Sequence, residues 1–382
     1  MESEDLNSSP RVSLNLPITP PATVEKQEPL NEQQQQLAPP RKLLSDLKKA
    51  SRSRRKPRSK YRPPLNSVFN ADEYVSEARP SADDERNAQF IHYAFTYSKR
   101  IIIVAGAGVS VAAGIPDFRS SSGLFSSLKG NKVSSGKELF DFNRVYADDS
   151  ISVKFNKMIV DLHQMSSQFK PTSFHCMVNE LAREGSLRRL YTQNIDCLED
   201  KLPHIASRTP LETPTPVTVR LHGSINHMSC TKCSKIYDLD PTIFKCDESQ
   251  TDGHIIPLCP QCQEFEAVRS IAGIRSQGVG KLRPRIVLYN EYHPEGDRIG
   301  DIATRDLKSR PDCLVIVGTS LKIPGVRTMC RDFARKVHSS KGVVLWINSE
   351  FPSQSIRDFV EFIDLIIVGD CQNVPEIVNR KK

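Results

Sequence analysis

Short apolar runs alternate with turn residues and with longer amphipathic stretches from about residue 87 onward. Most of the runs are continuous in Val, Ile and Leu rather than alternating, which is typical of strands covered on both faces in a parallel sheet. Amphipathic segments at 148–165, 171–183 and 328–337 predict helices between several of them. The predicted strands lie at 100–105, 187–192, 217–221, 285–289, 313–317, 342–347 and 365–368.

This order of elements predicts an α/β fold, a Rossmann-like doubly wound parallel sheet. A cysteine-rich stretch at about 228–263 interrupts the order, and we interpret it as a small inserted module. Ligands of such sheets bind at the carboxyl ends of the strands. The motifs predicted at those ends are Gly106-Ala107-Gly108, Gln193-Asn194-Ile195-Asp196, His222-Gly223, Asn290-Glu291, Gly318-Thr319-Ser320, Asn348-Ser349-Glu350 and Gly369-Asp370-Cys371.

Residues 1–85 have a different composition. They contain eleven of the 26 prolines, a glutamine run at 33–36 and only three aromatic residues. A segment of this kind buries too little apolar surface to offset the entropy of ordering. We therefore predict a disordered tail at 1–85 and a folded domain at 86–380.

The positive charge is concentrated in that tail. Residues 41–62 hold eleven Lys or Arg against one Asp, a balance of +10, so the net charge of +8 leaves −2 for the rest of the chain. Such a run suits a nuclear import signal or a contact with nucleic-acid phosphates. A solvated linker is the alternative.

The 382 residues are 38% hydrophobic, enough for a large core. The N-terminus lacks the order of a secretory signal and no run is long enough to span a membrane, so we expect a soluble intracellular protein. The ten cysteines are then expected as thiols or metal ligands rather than disulfides.

Four of these cysteines form two Cys-x-x-Cys pairs. Cys230 and Cys233 are followed, after 25 residues, by Cys259 and Cys262. This spacing predicts a four-thiolate zinc site, which is structural because no position stays open for water. A redox dithiol is the alternative, and Cys246 between the pairs is a spare thiol.

The glycine turn after the first predicted strand can let the backbone approach a pyrophosphate at a helix N-terminus. A tight turn without a ligand is the alternative. The dinucleotide fingerprint of dehydrogenases needs a third glycine where this chain has Val111, which argues against hydride transfer. In the loop that follows, Pro116 precedes Asp117, Phe118 and Arg119, which can meet an amide, a ring and a phosphate.

His222 is the best candidate for a catalytic base. It stands at a predicted strand end before Gly223, and histidine accepts protons near neutral pH. A lone histidine is more often structural, but the Leu-His-Gly context beside the other motifs favours catalysis.

In combination, these motifs resemble the sirtuin family of NAD-dependent protein deacetylases. They occur in the order of that family and cover roughly residues 88–375. The segment from Thr319 to Val326 and the ending Gly369-Asp370-Cys371 are most similar to the fungal branch that acts on histones.

The resemblance implies NAD and Zn²⁺ as cofactors and His222 and Asn194 as catalytic residues. It places the pyrophosphate at the glycine turn and at Arg119, the nicotinamide at Ile195 and Asp196, and the adenine at Cys371. The full set of implied NAD contacts is Gly106, Ala107, Gly108, Asp117, Phe118, Arg119, Gln193, Asn194, Ile195, Asp196, Gly318, Thr319, Ser320, Asn348, Ser349, Glu350 and Cys371.

The implied activity is deacetylation of lysine on histones or other nuclear proteins, with release of nicotinamide and O-acetyl-ADP-ribose. Chromatin silencing, genome maintenance and a nuclear location are expected with it, and DNA contact through the basic tail is a further expectation. Protein ADP-ribosylation and a catalytically weak chromatin-binding module are the alternatives. Where the family often has an aromatic-Gly-Glu segment for the substrate peptide, this chain has Tyr289-Asn290-Glu291.

Overall fold

The computed structural model describes residues 57, 59–115, 140–147, 149–244 and 256–380. Within these ranges, no helix is both long and apolar enough to cross a bilayer.

Ten strands are present in the described ranges. They are β1 (Ser67–Asn70), β2 (Ile101–Ala105), β3 (Leu187–Thr192), β4 (Thr218–Arg220), β5 (Gly223–Cys230), β6 (Ile236–Asp238), β7 (Leu282–Ile286), β8 (Cys313–Val317), β9 (Val343–Asn348) and β10 (Leu365–Val368).

The α-helices of the same ranges flank these strands. They are α1 (Ala71–Ser76), α2 (Ala82–Tyr97), α3 (Phe142–Val145), α4 (Asp149–Gln168), α5 (Ser173–Arg183), α6 (Pro260–Ile271), α7 (Gly296–Lys308), α8 (Pro324–Ser339), α9 (Gln354–Val360) and α10 (Val374–Asn379). Short 3-10 helices lie at Ala107–Val109, Val111–Ala113, Leu198–Lys201 and Cys371–Asn373.

Seven strands form one sheet in the order β1-β10-β9-β8-β2-β3-β4, and every pairing in it is parallel. The chain leaves β2 toward β3 and later returns on the other side at β8, so the topological switch point lies between β2 and β8. A second sheet, β6-β5-β7, is antiparallel. The predicted Rossmann-like α/β fold with a small inserted module is confirmed.

Both faces of the large sheet are covered. Ile101 and Ile103 belong to the apolar cluster on one face, and Ile102 and Val104 belong to the cluster on the other. Successive side chains of a strand point to opposite faces, so a strand buried on both sides must be apolar at every position. This is why β2 appears in the sequence as an unbroken Ile-Val run.

Two expectations require correction. The strand predicted at 285–289 is observed as β7, which is shifted toward the N-terminus and pairs antiparallel with β5. The Asn290-Glu291 motif therefore does not end a strand of the parallel sheet. The small sheet, in turn, begins at Gly223, before the predicted module boundary.

The prediction of a disordered tail at 1–85 is also wrong in part. Strand β1 pairs with β10 at the sheet edge, and α1 and the start of α2 lie before residue 85. Phe69 and Tyr74 are buried there and pack in the main core. Arg62, inside the basic segment, bonds the buried carboxylate of Asp364 from Nε and Nη2 at 2.8 and 3.0 Å. Residues 1–56 lie outside the described residues.

Candidate active site and metal centre

The glycine turn packs directly against the loop after β8 at the switch point. Gly106 N donates to the carbonyl of Val317 and Gly108 N donates to the carbonyl of Gly318, each at 3.0 Å. A Cβ on either glycine would come within 2.7 Å of this neighbouring loop. The glycines are therefore required by the packing of the protein itself. The turn leads into two 3-10 helices rather than an α-helix.

Gln193 spans the rim between neighbouring strands. Its Nε2 donates to Thr319 Oγ1 at 2.9 Å and to the carbonyl of Ala105 at 3.3 Å. The side chain thus joins the end of β3 to the loops after β2 and β8, which the sequence had placed on one edge. The parallel register brings these motifs together.

Asn194 is 2% exposed and carries an unsatisfied acceptor. Its Nδ2 donates to Ser110 Oγ at 3.1 Å, while its buried Oδ1 has no hydrogen-bond partner among the described residues. An unpaired buried carbonyl oxygen costs free energy that a ligand donor can recover. This atom therefore indicates a binding site for a group with N–H or O–H donors.

The next two residues shape the loop. Ile195 is buried in the apolar cluster beneath the small sheet, and its carbonyl accepts from Ile225 N at 3.1 Å. Asp196 is buried as well, and its Oδ1 accepts from Leu198 N at 3.1 Å. The carboxylate thereby caps the 3-10 helix that begins at Leu198.

The structure defines the protonation state of His222. Its Nδ1 lies 3.0 Å from the carbonyl of Gln193, an atom that can only accept, so Nδ1 carries the hydrogen. Nε2 is then left with a free lone pair. Burial lowers the pKa of His222, partly offset by the Gln193 carbonyl, so the ring is neutral at pH 7.

His293 was not singled out from the sequence. Its pKa is lowered to about 4, chiefly by burial, which the carboxylate of Glu295 offsets in part and the charges of His222 and Arg285 reinforce. Its Nδ1 accepts from Glu295 N at 2.9 Å, and its buried Nε2 has no partner among the described residues. The only sequence signal was its place two residues after Glu291.

The remaining predicted contacts lie along the same rim. Asn348 ends β9 and its carbonyl accepts from Gly369 N at 3.1 Å, while Ser349 and Glu350 are exposed. Cys371 is buried and its Sγ lies 3.8 Å from the carbonyl of Gly108. Burial raises the pKa of this thiol to about 12, so it is not a thiolate.

Some predicted residues cannot be placed. Asp117, Phe118 and Arg119 lie outside the described residues, and so does Cys246. Ser320 and Ala107 lie at the rim with partly exposed side chains.

The Tyr289-Asn290-Glu291 segment is anchored on two sides. Asn290 adopts φ 63°, a left-handed conformation that asparagine tolerates better than most residues, and its Nδ2 donates to Asp141 Oδ2 at 2.6 Å. Glu291 forms an ion pair with Arg283, whose guanidinium lies 4.7 Å from the ring centre of Tyr146. Asparagine thus replaces the expected glycine without preventing the turn.

The four cysteines of the two Cys-x-x-Cys pairs converge. One ligand atom from each lies within 4.8 Å of all the others, and Cys230–Cys262 and Cys233–Cys259 have Sγ–Sγ distances of 3.7 Å. Zn–S bonds of about 2.3 Å in a tetrahedron require sulfur separations near this value. The donor set therefore fits a closed structural zinc site.

Polar groups around these sulfurs favour the thiolate at Cys259, whereas burial raises the pKa of Cys230 and Cys233. Lys232 N and Cys233 N donate to Cys230 Sγ at 3.3 and 3.4 Å. Burial alone would raise the pKa of Cys259, but hydrogen bonds from Tyr237 and from the neighbouring cysteines lower it to about 7. The Tyr237 hydroxyl lies 3.3 Å from Cys259 Sγ.

A comparison with protein-family models matches residues 106–325 to the Sir2 family. The chain belongs to the Sir2 family. The family resemblance inferred from the sequence motifs is confirmed, and the most similar relatives include fungal members named as histone deacetylases.

One fungal relative aligns over nearly the whole chain. The NAD-dependent histone deacetylase HST4 of Saccharomyces cerevisiae is 55% identical over 370 residues, which are 95% of this chain and 98% of the yeast protein. The NAD-dependent protein deacetylase hst4 of Schizosaccharomyces pombe is 48% identical over 72% of this chain, but this chain covers only 65% of that protein.

Solved Sir2 structures share the fold. A crystal structure of a Sir2 homologue in complex with NAD superposes with a TM-score of 0.55 at 23% identity, covering 79% of this chain and 95% of that one. At this level of identity the likeness supports the fold alone.

Proposed function

We propose that this protein is an NAD-dependent protein lysine deacetylase that acts on acetylated histones. The observation that carries the proposal is the contact of His222 Nδ1 with the Gln193 carbonyl, together with the buried Oδ1 of the following residue, Asn194, which has no partner among the described residues. Together they present a neutral base and a free acceptor at the carboxyl ends of β3 and β4. The HST4 relative is named as a histone deacetylase.

His222 acts as the general base. Its Nε2 holds the lone pair, and a neutral imidazole at pH 7 can take a proton from a ribose hydroxyl within hydrogen-bond reach. The Gln193 carbonyl orients the ring and stabilises the charged form that follows proton transfer.

The rim residues suit NAD. Asn194 Oδ1 would accept a hydrogen bond, the glycine turn and Gly318-Thr319-Ser320 would face the phosphates and a ribose, and Cys371 would border the adenine. Ile195 and Asp196 would border the nicotinamide, with Asn348, Ser349 and Glu350 on the adenosine side. Asp117, Phe118 and Arg119 keep their predicted roles in the cofactor loop. When bound, NAD would supply an anomeric carbon from which nicotinamide can leave and a ribose hydroxyl that can accept the acetyl group.

The Tyr289-Asn290-Glu291 segment is a candidate strand for pairing with the substrate peptide. Phe142 N donates to the carbonyl of Tyr289 at 3.0 Å and Tyr289 N donates to Phe140, so one edge of Tyr289 is already paired. The opposite edge carries Leu288, whose N donates to Glu291 Oε2 at 2.9 Å and whose carbonyl accepts from Glu291 N at 3.2 Å, so a peptide that pairs there would have to replace these bonds. Arg283 and Asp141 hold the segment in place for this contact.

Zinc serves a structural role in this proposal. Cys230, Cys233, Cys259 and Cys262 would fix the small sheet, and this sheet begins at Gly223, directly after His222. Val287 N, directly after β7, donates to the carbonyl of His222 at 3.0 Å, so the small sheet contacts the residue that carries the base.

We further propose that the protein acts in the nucleus and that the basic segment at 41–62 directs it there. Its balance of +10 also suits DNA phosphates, and this second role needs a separate test. Both proposals rest on charge and on the histone-directed name of the yeast relative.

The decisive experiment is product analysis. Incubating the full chain with NAD and an acetylated histone peptide should yield free lysine, nicotinamide and O-acetyl-ADP-ribose in equal amounts by mass spectrometry. ADP-ribose attached to the peptide would instead identify an ADP-ribosyltransferase. Binding of peptide without any NAD consumption would indicate a binding module, and either result would overturn the proposal.

A further inference from the structure

Strand β1 brings an additional residue to the rim. Because β1 is parallel to β10, with Asn70 opposite Val368, both strands end at the same edge of the sheet. Helix α1 follows at once, capped by the Asn70 side chain, which accepts from Asp72 N and Glu73 N at 3.1 and 3.2 Å. The first turn of α1 therefore lies beside the Gly369-Asp370-Cys371 turn.

Asp72 holds that turn by two hydrogen bonds. Its Oδ1 accepts from Asp370 N and from Asn373 Nδ2, each at 2.8 Å. The fit is close, because a Cβ on Gly369 would lie 2.5 Å from the same oxygen. Glycine at 369, which has φ +126°, is thus required by the position of the Asp72 carboxylate as well as by its backbone conformation.

Residues 371 and 372 also contact the glycine turn at 106–108 and the residue after it. Cys371 Sγ lies 3.8 Å from the carbonyl of Gly108, and Gln372 Nε2 donates to the carbonyl of Val109 at 3.3 Å. The Gln372 Oε1 accepts from Phe174 N at 2.9 Å. A continuous series of contacts therefore leads from Asp72 through residues 370–373 to Gly108 and Val109.

We propose that Asp72 is a positioning residue for NAD. Asp72 holds the Gly369–Asn373 turn against the glycine turn at 106–108 and so shapes the adenosine end of the site. Asp72 lies before the part of the chain that matches the Sir2 model, which starts at residue 106. The N-terminal strand and helix thereby become part of the nucleotide site. The inference rests on the proposed use of NAD.

The test compares three single variants of the full chain. Asp72→Ala removes the acceptor and should raise both the KM and the Kd for NAD by up to about tenfold, as expected for two lost hydrogen bonds to an exposed carboxylate. Turnover at saturating NAD and the KM for the acetylated peptide should stay near those of the wild type. Asp72→Asn should behave like the wild type, because a single Oδ1 accepts both bonds. Glu73→Ala, on the same helix turn, is the matched control.

Three results would overturn the inference. The first is an unchanged Kd for NAD in Asp72→Ala. The second is an equal rise in the KM for NAD and for the peptide, together with a lower melting temperature. The third is a Glu73→Ala variant that binds NAD as weakly as Asp72→Ala does. If Asp72→Ala fails to fold, Asn373→Ala removes one bond without altering α1 and should raise the Kd for NAD by a smaller factor. A wild-type chain that neither binds nor consumes NAD would refute the proposed function itself, which separates the two failures.

Discussion

The guanidinium of Arg220 donates a hydrogen bond of 2.5 Å from Nη2 to Oδ1 of Asp200. Arg220 ends β4 two residues before His222, and Asp200 lies in the 3-10 helix that follows Asp196. The Arg220 side chain is 5% exposed. This pair therefore joins the strand that precedes the proposed base to the loop that is proposed to border the nicotinamide.

Replacing Arg220 by Met should destabilise the protein by about 3 kcal/mol, because it leaves the carboxylate of Asp200, which is 26% exposed, without its cation. The measurement is the free energy of unfolding in urea. Arg208→Met is the matched control, since Arg208 and Glu212 form an exposed pair at 3.4 Å whose loss costs less than about 1 kcal/mol. Equal losses in the two variants would show that burial of the pair has no special effect.

Glu199 should make stability depend on pH. Burial, and next the charge of Asp196, raise its pKa from 4.5 to about 7. The folded chain then binds this proton more tightly than the unfolded chain, so the contribution of Glu199 to stability falls as pH rises from 4.5 to about 7 and is constant above. In Glu199→Gln that slope should disappear.

Urea unfolding of wild type and Glu199→Gln at several pH values from 4.5 to 8 gives the difference between their free energies of unfolding. Titrations that both proteins share, including those of His175 and His222, largely cancel in this difference. The exposed Glu264 provides the control variant, Glu264→Gln, which should keep the slope that Glu199 causes. If Glu199→Gln also keeps that slope, the raised pKa of Glu199 is contradicted.

Removing the base should abolish most turnover while leaving the fold intact. His222→Ala should lower kcat on an acetylated histone peptide by a factor on the order of 100 or more, and NAD binding should remain. Because burial lowers the pKa of His222 from 6.5, the midpoint of the acid-side decline of wild-type kcat/KM should lie below pH 6.5. His204→Ala, at an exposed histidine, is the control, and near-normal turnover in His222→Ala would remove His222 from the mechanism.

Zinc should be present at one ion per chain and should be needed for the small module. Cys230→Ser and Cys259→Ser should each lose the metal, together with solubility or activity, because metal binding is coupled to folding of the site. Metal content by mass spectrometry and melting temperature are the readouts. Cys176→Ser, at an exposed thiol away from the cluster, should keep both. Full activity in metal-free protein would contradict a structural zinc.

The basic tail should govern location rather than catalysis, provided that truncation stops before the folded part. Removing residues 1–56 should leave peptide turnover and melting temperature unchanged but abolish nuclear accumulation. Removing residues 1–64 should also lower the melting temperature, because Asp364, at 0% side-chain exposure, loses Arg62. If the tail binds DNA, affinity should fall steeply with salt in the full chain and fall on truncation. Unchanged nuclear entry and DNA binding after removal of 1–56 would place both properties elsewhere.

The central strands and the metal site were predictable from the sequence because their signals are local. A strand buried on both faces must be apolar throughout, so β8 and β10 match the predicted ranges residue for residue. Four thiolates at two Cys-x-x-Cys spacings have few other uses in a reducing compartment. The motifs of the Sir2 family were recognisable for the same reason.

Edge and contact features were decided only by the tertiary structure. Strand β1, Ser-Val-Phe-Asn, has one fully buried residue and no apolar run, so only its pairing with β10, nearly 300 residues away, reveals it. The tautomer of His222, the bond of Asn194 to Ser110 and the contacts of Asp72 depend equally on partners distant in sequence. Local composition determines which segments are buried, whereas the meeting of two polar groups depends on how the whole sheet is ordered.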